Sequence, residues 1–173
     1  MKLIGLTGLP RSGKDTFAKH MIENYGYTKL AFATPLKQAA AVLLNREVWE
    51  MEGEQGFDRE AMLPEWGFST RHFLRYLGTE AMRNYQADFW IRRMRSAMAG
   101  KDKIVITDCR FENEVDLVHE FGGKVIQLYR PGCEASDHVS DLPVRSDMGL
   151  MNGGTLEDME RAITHMVEDY QWA

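Results

Sequence analysis

Gly8, Gly13 and Lys14 stand at the G-x-x-x-x-G-K spacing inside KLIGLTGLPRSGKDT, residues 2–16. The chemistry this spacing serves is the binding of a polyphosphate. Backbone N–H groups point into a glycine-lined concavity, the first turn of a following helix adds its unpaired donors and its dipole, and a lysine supplies a mobile cation. A run of small residues can also be an ordinary turn between strand and helix. Two glycines at the right distance, a lysine directly after the second and a hydroxyl at Thr16 weigh against that alternative. Gly8, Arg11, Ser12, Gly13, Lys14, Asp15 and Thr16 are therefore the candidate ligands of a nucleotide's phosphates, with Lys14 and Arg11 also candidate catalytic groups. Asp15 occupies the position where a Ser or Thr usually offers its hydroxyl to magnesium. Thr16 is then the nearer hydroxyl, for a phosphate or for the metal, and both residues are kept as candidate metal ligands.

A second set of charged residues completes a phosphoryl-transfer chemistry, which needs positioned cations far more than nucleophile pairs. Asp108 follows the apolar run KIVIT, residues 103–107, and a carboxylate at that depth can order the shell of Mg²⁺. Taken without the loop, the same Asp would read as a cap for a helix starting near Phe111. Arg11, Arg110, Arg130 and Arg145 are placed to neutralise the donor and transferring phosphates, and Arg130 joins Lys14, Arg11 and Asp108 as a candidate catalytic residue. Lys37, Arg71, Arg75, Arg83 and Arg92 are placed to collect an acceptor phosphate, since guanidinium forks suit bidentate phosphate contacts. Roughly half of the clustered arginines should instead face solvent from amphipathic helices. Five histidines show no metal-ligand spacing, and His138, flanked by Asp137 and Asp141, suits a surface residue as well as a ligand contact.

These residues must be positioned by alternating strands and helices. Leu3–Leu6 is apolar without alternation, as a strand covered on both faces should be. A helix follows over Lys14–Tyr25, its inward stripe Phe17, Ala18, Met21 and Ile22, and Gly26 ends it. Thr28–Ala33 reads as a short strand, and Pro35–Leu44 as a helix with Thr34 as N-cap and an apolar face of Leu36, Ala39, Ala40 and Leu43. Arg46–Phe68 is the least determined stretch: one short helix and a surface excursion anchored by Trp49, Trp66 and Phe68. From Ser69 the spacing of Phe73, Leu77 and Ala81 is helical, broken at Gly78, where a kink would let a ligand or a neighbouring backbone come close. A helix spans Asp88–Met98. Strands at 103–107, 124–129 and 146–151 surround a helix over Glu112–Phe121. A final helix begins at the capping box of Thr155 and Asp158, with Leu156, Met159, Ile163, Met166, Val167 and Tyr170 on its apolar face. Between the strands, 130–145 carries Pro131, Gly132 and Pro143 and reads as a loop or small cover. Such alternation predicts a parallel sheet covered on both sides, with ligands at the carboxyl ends of its strands, where Gly8, Asp108 and Arg130 all fall.

Composition sets the outer bounds. A length of 173 residues fits one domain, and no apolar stretch approaches a membrane span, so a cytoplasmic protein without membrane association is expected. The net charge of −5 argues against stable nucleic-acid binding. Charge is unevenly spread: Glu47–Glu65 holds seven acidic residues against Arg59 alone, whereas six arginines gather between Arg71 and Arg95. Cys109 and Cys133 lie far apart without C-x-x-C spacing, which predicts small packed side chains and no disulfide framework.

Several segments together carry a family likeness: GLTGLPRSGKDTFA at 5–18, FATPLK at 32–37, STRHFLRYLGTEAMR at 69–83, DFW at 88–90, VITDCRFENE at 105–114 and LMNGGTLEDM at 150–159. In this order the chain resembles the bacteriophage deoxynucleoside monophosphate kinases over nearly its whole length, Asn45–Phe68 excepted. The R-S-G-K-D-T loop, L-G-T-E and D-x-R-F-x-N-E are more specific than a phosphate loop alone.

The resemblance implies a P-loop kinase fold: three α/β/α layers around a five-stranded parallel sheet of order 2-3-1-4-5, a helical acceptor-binding insertion at about 35–100 and a short lid at about 131–146, all in one domain. It implies ATP with Mg²⁺, held by Gly8 to Thr16 and Asp108, with Arg130 at the reacting phosphates and Asn152 and Gly153 bordering the adenine. Lys37, Arg71 and Arg83 would hold the deoxynucleotide, and Arg75, Trp90 and Arg110 are further acceptor candidates. Asp15 is ordinary for these kinases, while Arg75 stands where a glutamine is expected. The resemblance leaves room for a homodimer. Its partners would be ATP and a deoxynucleoside monophosphate. The competing readings are a kinase of another acceptor, such as dephospho-coenzyme A, and a nucleotide-binding regulatory module without catalysis.

Overall fold

The computed structural model describes residues 1–133, 138–139 and 142–172. They form two compact units, one of residues 1–31 and 95–173 and the other of 32–94.

The first unit is built on a parallel sheet. Strands β1 (Lys2–Thr7), β2 (Thr28–Leu30), β5 (Lys103–Ile106), β6 (Lys124–Tyr129) and β7 (Met148–Met151) lie in the order β2-β5-β1-β6-β7. Counted within this sheet alone, that is 2-3-1-4-5, as the resemblance implies. All pairings are parallel, with Leu3 beside Ile104 and Gly5 beside both Ile106 and Val125. The central strands are apolar on both sides because both sides are covered. Ile4, Leu6, Val105, Ile126 and Leu128 pack on one face against α1 (Lys14–Tyr25) and α8 (Leu156–Asp169), through Phe17, Met21, Met159, Ile163 and Val167. On the other face, Gly5 lies within contact of Val118 on α7 (Glu112–Glu120) and of Cys109, a free and buried thiol. This is the three-layer arrangement.

Local chemistry sets the boundaries. Helix α1 stops at Gly26, whose φ of 70° lets its N–H return to the carbonyls of Ile22 and Met21. Helix α8 opens with the expected capping box, Thr155 N–H donating to Asp158 Oδ2 at 2.9 Å and Asp158 N–H to Thr155 Oγ1 at 3.2 Å. The inward stripes are narrower than expected: Ile22 is 40% exposed, and Leu156 and Tyr170, at the two ends of α8, also face outward. Helix ends have fewer neighbours to cover them than the middle.

The second unit holds α2 (Ala33–Leu44), α3 (Val48–Glu52), a hairpin of β3 (Met62–Leu63) and β4 (Phe68–Ser69), α4 (Thr70–Arg75), a π-helical turn over Tyr76–Ala81, α5 (Met82–Tyr85) and the larger part of α6 (Phe89–Met98). Its core joins Ala40, Ala41 and Leu44 to Met51, Leu63 and Leu74, with Leu36, Phe57, Phe68, Phe73 and Leu77 packed around them. The rings of Phe68 and Phe73 stack with centroids 5.3 Å apart. Three sequence expectations fail here. Helix α2 starts at Ala33 with Phe32 at the cap, so Thr34 lies inside the first turn and is no N-cap. Its buried face runs through Ala40, Ala41 and Leu44, while Ala39 and Leu43 are exposed. A helix apolar nearly all round offers two adjacent stripes of similar merit, and only its packing partner selects one. Trp66, expected as an anchor, is 43% exposed.

Candidate functional site

The loop between β1 and α1 is shaped by its glycines. Gly8 has φ 128° and Gly13 φ 109°, and Arg11 also lies at positive φ, 65°. A Cβ on Gly8 would stand 2.4 Å from the Leu128 carbonyl oxygen, and one on Gly13 would stand 2.5 Å from Asn152 Nδ2. Both positions therefore require the absent side chain as well as the unusual backbone. Ser12 is buried and its N–H donates to the Leu9 carbonyl at 3.2 Å, which closes the loop on itself.

Lys14, the first residue of α1, turns back over this loop. Its Nζ donates to the carbonyls of Gly8 at 2.8 Å and Leu9 at 2.7 Å and approaches Ser12 Oγ at 3.4 Å. Burial lowers its pKa to about 8, with the positive charge of Arg110 adding to the effect, while Asp15, Asp108 and Cys133 act in the opposite direction. An ammonium so placed is short of counter-charge, and an anion in the loop would supply it.

Other expected residues gather at the same ends of the strands. An Arg130 Nη donates to the Arg11 carbonyl at 3.4 Å, which brings the end of β6 to the loop. Asn152, just past β7, donates from Nδ2 to the Ser12 carbonyl at 3.0 Å, so its amide braces the phosphate loop. Arg110 and Arg130 also line a cavity of about 430 Å³ with Thr7, Gly8, Tyr129 and Met151. Asp15 reaches across to Lys29 on β2, Nζ to Oδ1 2.7 Å. Arg145 is engaged elsewhere: its Nε meets Glu112 at 2.5 Å and an Nη meets Asp116 at 2.5 Å, both on α7. The lid expected at 131–146 includes residues 134–137, 140 and 141, which lie outside the described residues.

A residue the sequence reading passed over holds this region together. Glu114 is 1% exposed, and its Oε2 accepts from the N–H of Arg110 at 2.7 Å and of Phe111 at 3.2 Å. It thus fixes the turn that follows Asp108 and carries Arg110. The signal was present as the glutamate three residues after Phe111, at capping-box spacing.

Mg²⁺ keeps several waters and takes only one or two protein oxygens beside substrate phosphates. Asp108, which follows β5 and acts electrostatically on Lys14, and Thr16, in the first turn of α1, offer one carboxylate and one hydroxyl, which fits that pattern. Among the described residues no cluster of three or more His, Cys, Asp or Glu side chains forms an all-protein metal cage.

The acceptor candidates other than Arg110 all fall in the second unit. Lys37 on α2 pairs with Glu52 at 3.3 Å, and Arg71 on α4 pairs with Glu60. Arg75 and Arg83 are half-buried on α4 and α5. Arg92 is held by Asp88 on its own helix at 2.7 Å. Trp90 is buried, and its indole N–H donates to the Gly78 carbonyl at 2.9 Å. Its polar edge thus serves the unit's interior.

Comparison with known proteins agrees with this chemistry. A family model described as deoxynucleotide monophosphate kinase matches residues 2–65 and 64–163. A protein of Acanthamoeba polyphaga mimivirus, named provisionally as a deoxynucleotide monophosphate kinase, is 33% identical over 192 aligned residues, covering 98% of this chain and 97% of the relative. The deoxynucleotide monophosphate kinase of Escherichia phage RB69 is 25% identical, covering 92% and 96%. Among solved structures, a dephospho-CoA kinase from Campylobacter jejuni aligns with a TM-score of 0.50 at 16% identity over 98% of both chains. A Thermus thermophilus protein aligns with a TM-score of 0.53 at 20% identity over 96% of both. At such identities the structural likeness speaks for the fold alone. With the family model matching from residue 2 to residue 163 and a relative 33% identical along nearly its whole length, the chain belongs to the deoxynucleotide monophosphate kinase family.

Proposed function

We propose that the protein transfers the γ-phosphoryl group of ATP to a deoxynucleoside 5′-monophosphate, giving ADP and the deoxynucleoside diphosphate. The observation that carries this reading is the cradle at the end of β1, where Lys14 donates to two loop carbonyls, lies near the Ser12 hydroxyl and has its pKa lowered by burial. The donor phosphates replace those oxygens around Nζ. Loop N–H groups from Gly8 to Thr16 hold the β- and γ-phosphates, and Arg11, Arg110 and Arg130 neutralise the charge that builds on the transferring group. Asn152 keeps the loop in shape, and Gly153 borders the base beside it. Asp108 and Thr16 would hold the shell of Mg²⁺, which would supply further neutralisation of the phosphates' charge.

In this reading the second unit is the acceptor-binding insertion. Lys37, Arg71, Arg75 and Arg83 hold the acceptor 5′-phosphate. One of its oxygens, already anionic, attacks the γ-phosphorus in line. The bond from that phosphorus to the β–γ bridging oxygen breaks, and the electron pair leaves on ADP. No general base is required, so the protein's task is placement, charge neutralisation and exclusion of water. No helix of the described residues is long and apolar enough to cross a membrane, and both substrates are water-soluble, which supports a cytoplasmic site of action.

The test is ADP release coupled to a reporter, with Mg²⁺, over a panel of deoxynucleoside and ribonucleoside monophosphates and dephospho-coenzyme A. Release that depends on at least one deoxynucleoside monophosphate is the expected result. Dependence on dephospho-coenzyme A alone, or ATP binding without transfer to any acceptor, would overturn it.

A further inference from the structure

The helix that carries the acceptor arginines changes its turn halfway along. Between α4 and α5, Tyr76–Ala81 is π-helical, and the Met82 N–H donates to the carbonyl of Leu77. In a regular α-helix the same N–H would go to Gly78. The Gly78 carbonyl released in this way accepts the Trp90 indole N–H at 2.9 Å, and both residues are buried. Gly78 also has no room for a side chain, since a Cβ there would lie 2.8 Å from Leu36 Cδ2.

The wider turn has a geometric effect. Arg75 and Arg83 are eight positions apart, which at 3.6 residues per turn would set them about 80° apart around the helix axis. Closing i→i+5 absorbs about one residue, so the two stand as residues seven apart do in an α-helix, close to two full turns. Arg71, one α-turn before Arg75, belongs to the same face. Motif L-G-T-E, residues 77–80, is the stretch that makes the π-turn, and Trp90 closes the D-F-W segment that holds it open.

We propose that the π-turn, held open by the hydrogen bond from Trp90 to the Gly78 carbonyl, is a positioning device that brings Arg83 onto the face of Arg71 and Arg75 and so completes the arginine set for the acceptor's 5′-phosphate. Trp90 is then a positioning residue acting through Arg83. The inference rests on the reading of the second unit as the acceptor-binding part. It also accounts for two segments of the sequence whose conformational role the motif alone leaves blank.

The test uses steady-state kinetics on the full chain. Trp90→Phe keeps a ring in the core but removes the donor. The Gly78 carbonyl then gains by taking the Met82 N–H, the turn closes to α, and Arg83 rotates off the shared face. The KM for the deoxynucleoside monophosphate should rise roughly tenfold to a hundredfold, the range of a lost hydrogen bond to a charged group, while the KM for ATP stays unchanged. Deleting Thr79 in the Trp90→Phe background removes the extra residue, realigns Arg83 with Arg75 in a continuous α-helix, and should restore the acceptor KM. Deleting Thr79 alone should leave it near the starting value. A Trp90→Phe protein with an unaltered acceptor KM, an equal rise in both KM values, or a folded double variant without recovery would each overturn the device. Arg83→Ala separates the two levels: if it leaves the acceptor KM untouched, the acceptor reading of this unit fails before the device is in question.

Discussion

At the scale of single residues, the site is legible wherever chemistry is carried by spacing along the chain. Gly8, Gly13 and Lys14 are found from sequence because a phosphate loop is a local object: its donors, its turn and its cation lie within a few residues of one another. Lys14→Ala should lower turnover by roughly a hundredfold or more, the scale of removing a positioned charge from a transferring phosphoryl group, and near-normal deoxynucleotide-dependent ADP production in that variant would contradict its role. Gly8→Ala tests the cradle itself. The new Cβ would meet the Leu128 carbonyl oxygen at 2.4 Å at a φ of 128°, so the substitution should cost about 1–3 kcal/mol of stability in urea unfolding and weaken ATP binding together. Glu114 was less legible, because its role depends on being buried. Glu114→Ala strands the N–H groups of Arg110 and Phe111 and should destabilise by about 1–3 kcal/mol in urea unfolding, with a fall in kcat that the KM for ATP does not share. The partner of Asp15 was not legible at all. Lys29 lies on another strand, and only the sheet brings the two together.

At the scale of elements, helices with strong caps were read to within a residue, and the errors fall where side chains alone carry too little information. Helix α1 and strand β6 have the expected limits because Gly26 and the Gly122-Gly123 pair end elements in ways that depend on the backbone. Helix α2 shows the opposite case: its buried stripe shifted by one position because its sequence is apolar on several sides. The π-turn could be sensed as an interruption at Gly78 but not named, since its carbonyl partner, Trp90, arrives from a later helix. A similar long-range tie closes the first unit. Buried Tyr27, just before β2, donates its hydroxyl to the Trp172 carbonyl at 2.9 Å, and burial pushes its pKa up to about 12 from 10.0. The folded chain holds this proton after the unfolded chain has released it. The contribution to stability is therefore complete below pH 10 and is lost as pH rises from 10 through about 12. Tyr27→Phe should flatten that part of the stability profile and cost about 1 kcal/mol at neutral pH, measured by urea unfolding at stepped pH.

At the scale of the whole molecule, donor and acceptor candidates divide between the two compact units, Arg110 excepted, and the division can be tested without catalysis. ATP with Mg²⁺ should slow amide hydrogen exchange in the loop and first turn of α1, whereas a deoxynucleoside monophosphate should slow it through α4, the π-turn and α5. Protection of the same amides by both ligands would contradict the assignment. Local pattern was enough to specify the order of elements in the first unit, the parallel sheet, the phosphate loop and the family, because periodicity, capping and motif spacing are properties of neighbouring residues; the hairpin of β3 and β4 was not among its expectations. Tertiary structure alone decided which face of α2 is buried, that Arg145 is engaged by α7 and Asn152 by the phosphate loop, and that the Gly78 carbonyl meets Trp90. Each of these depends on a hydrogen bond, an ion pair or a packed side chain contributed by a distant part of the chain, and no local pattern records such a partner.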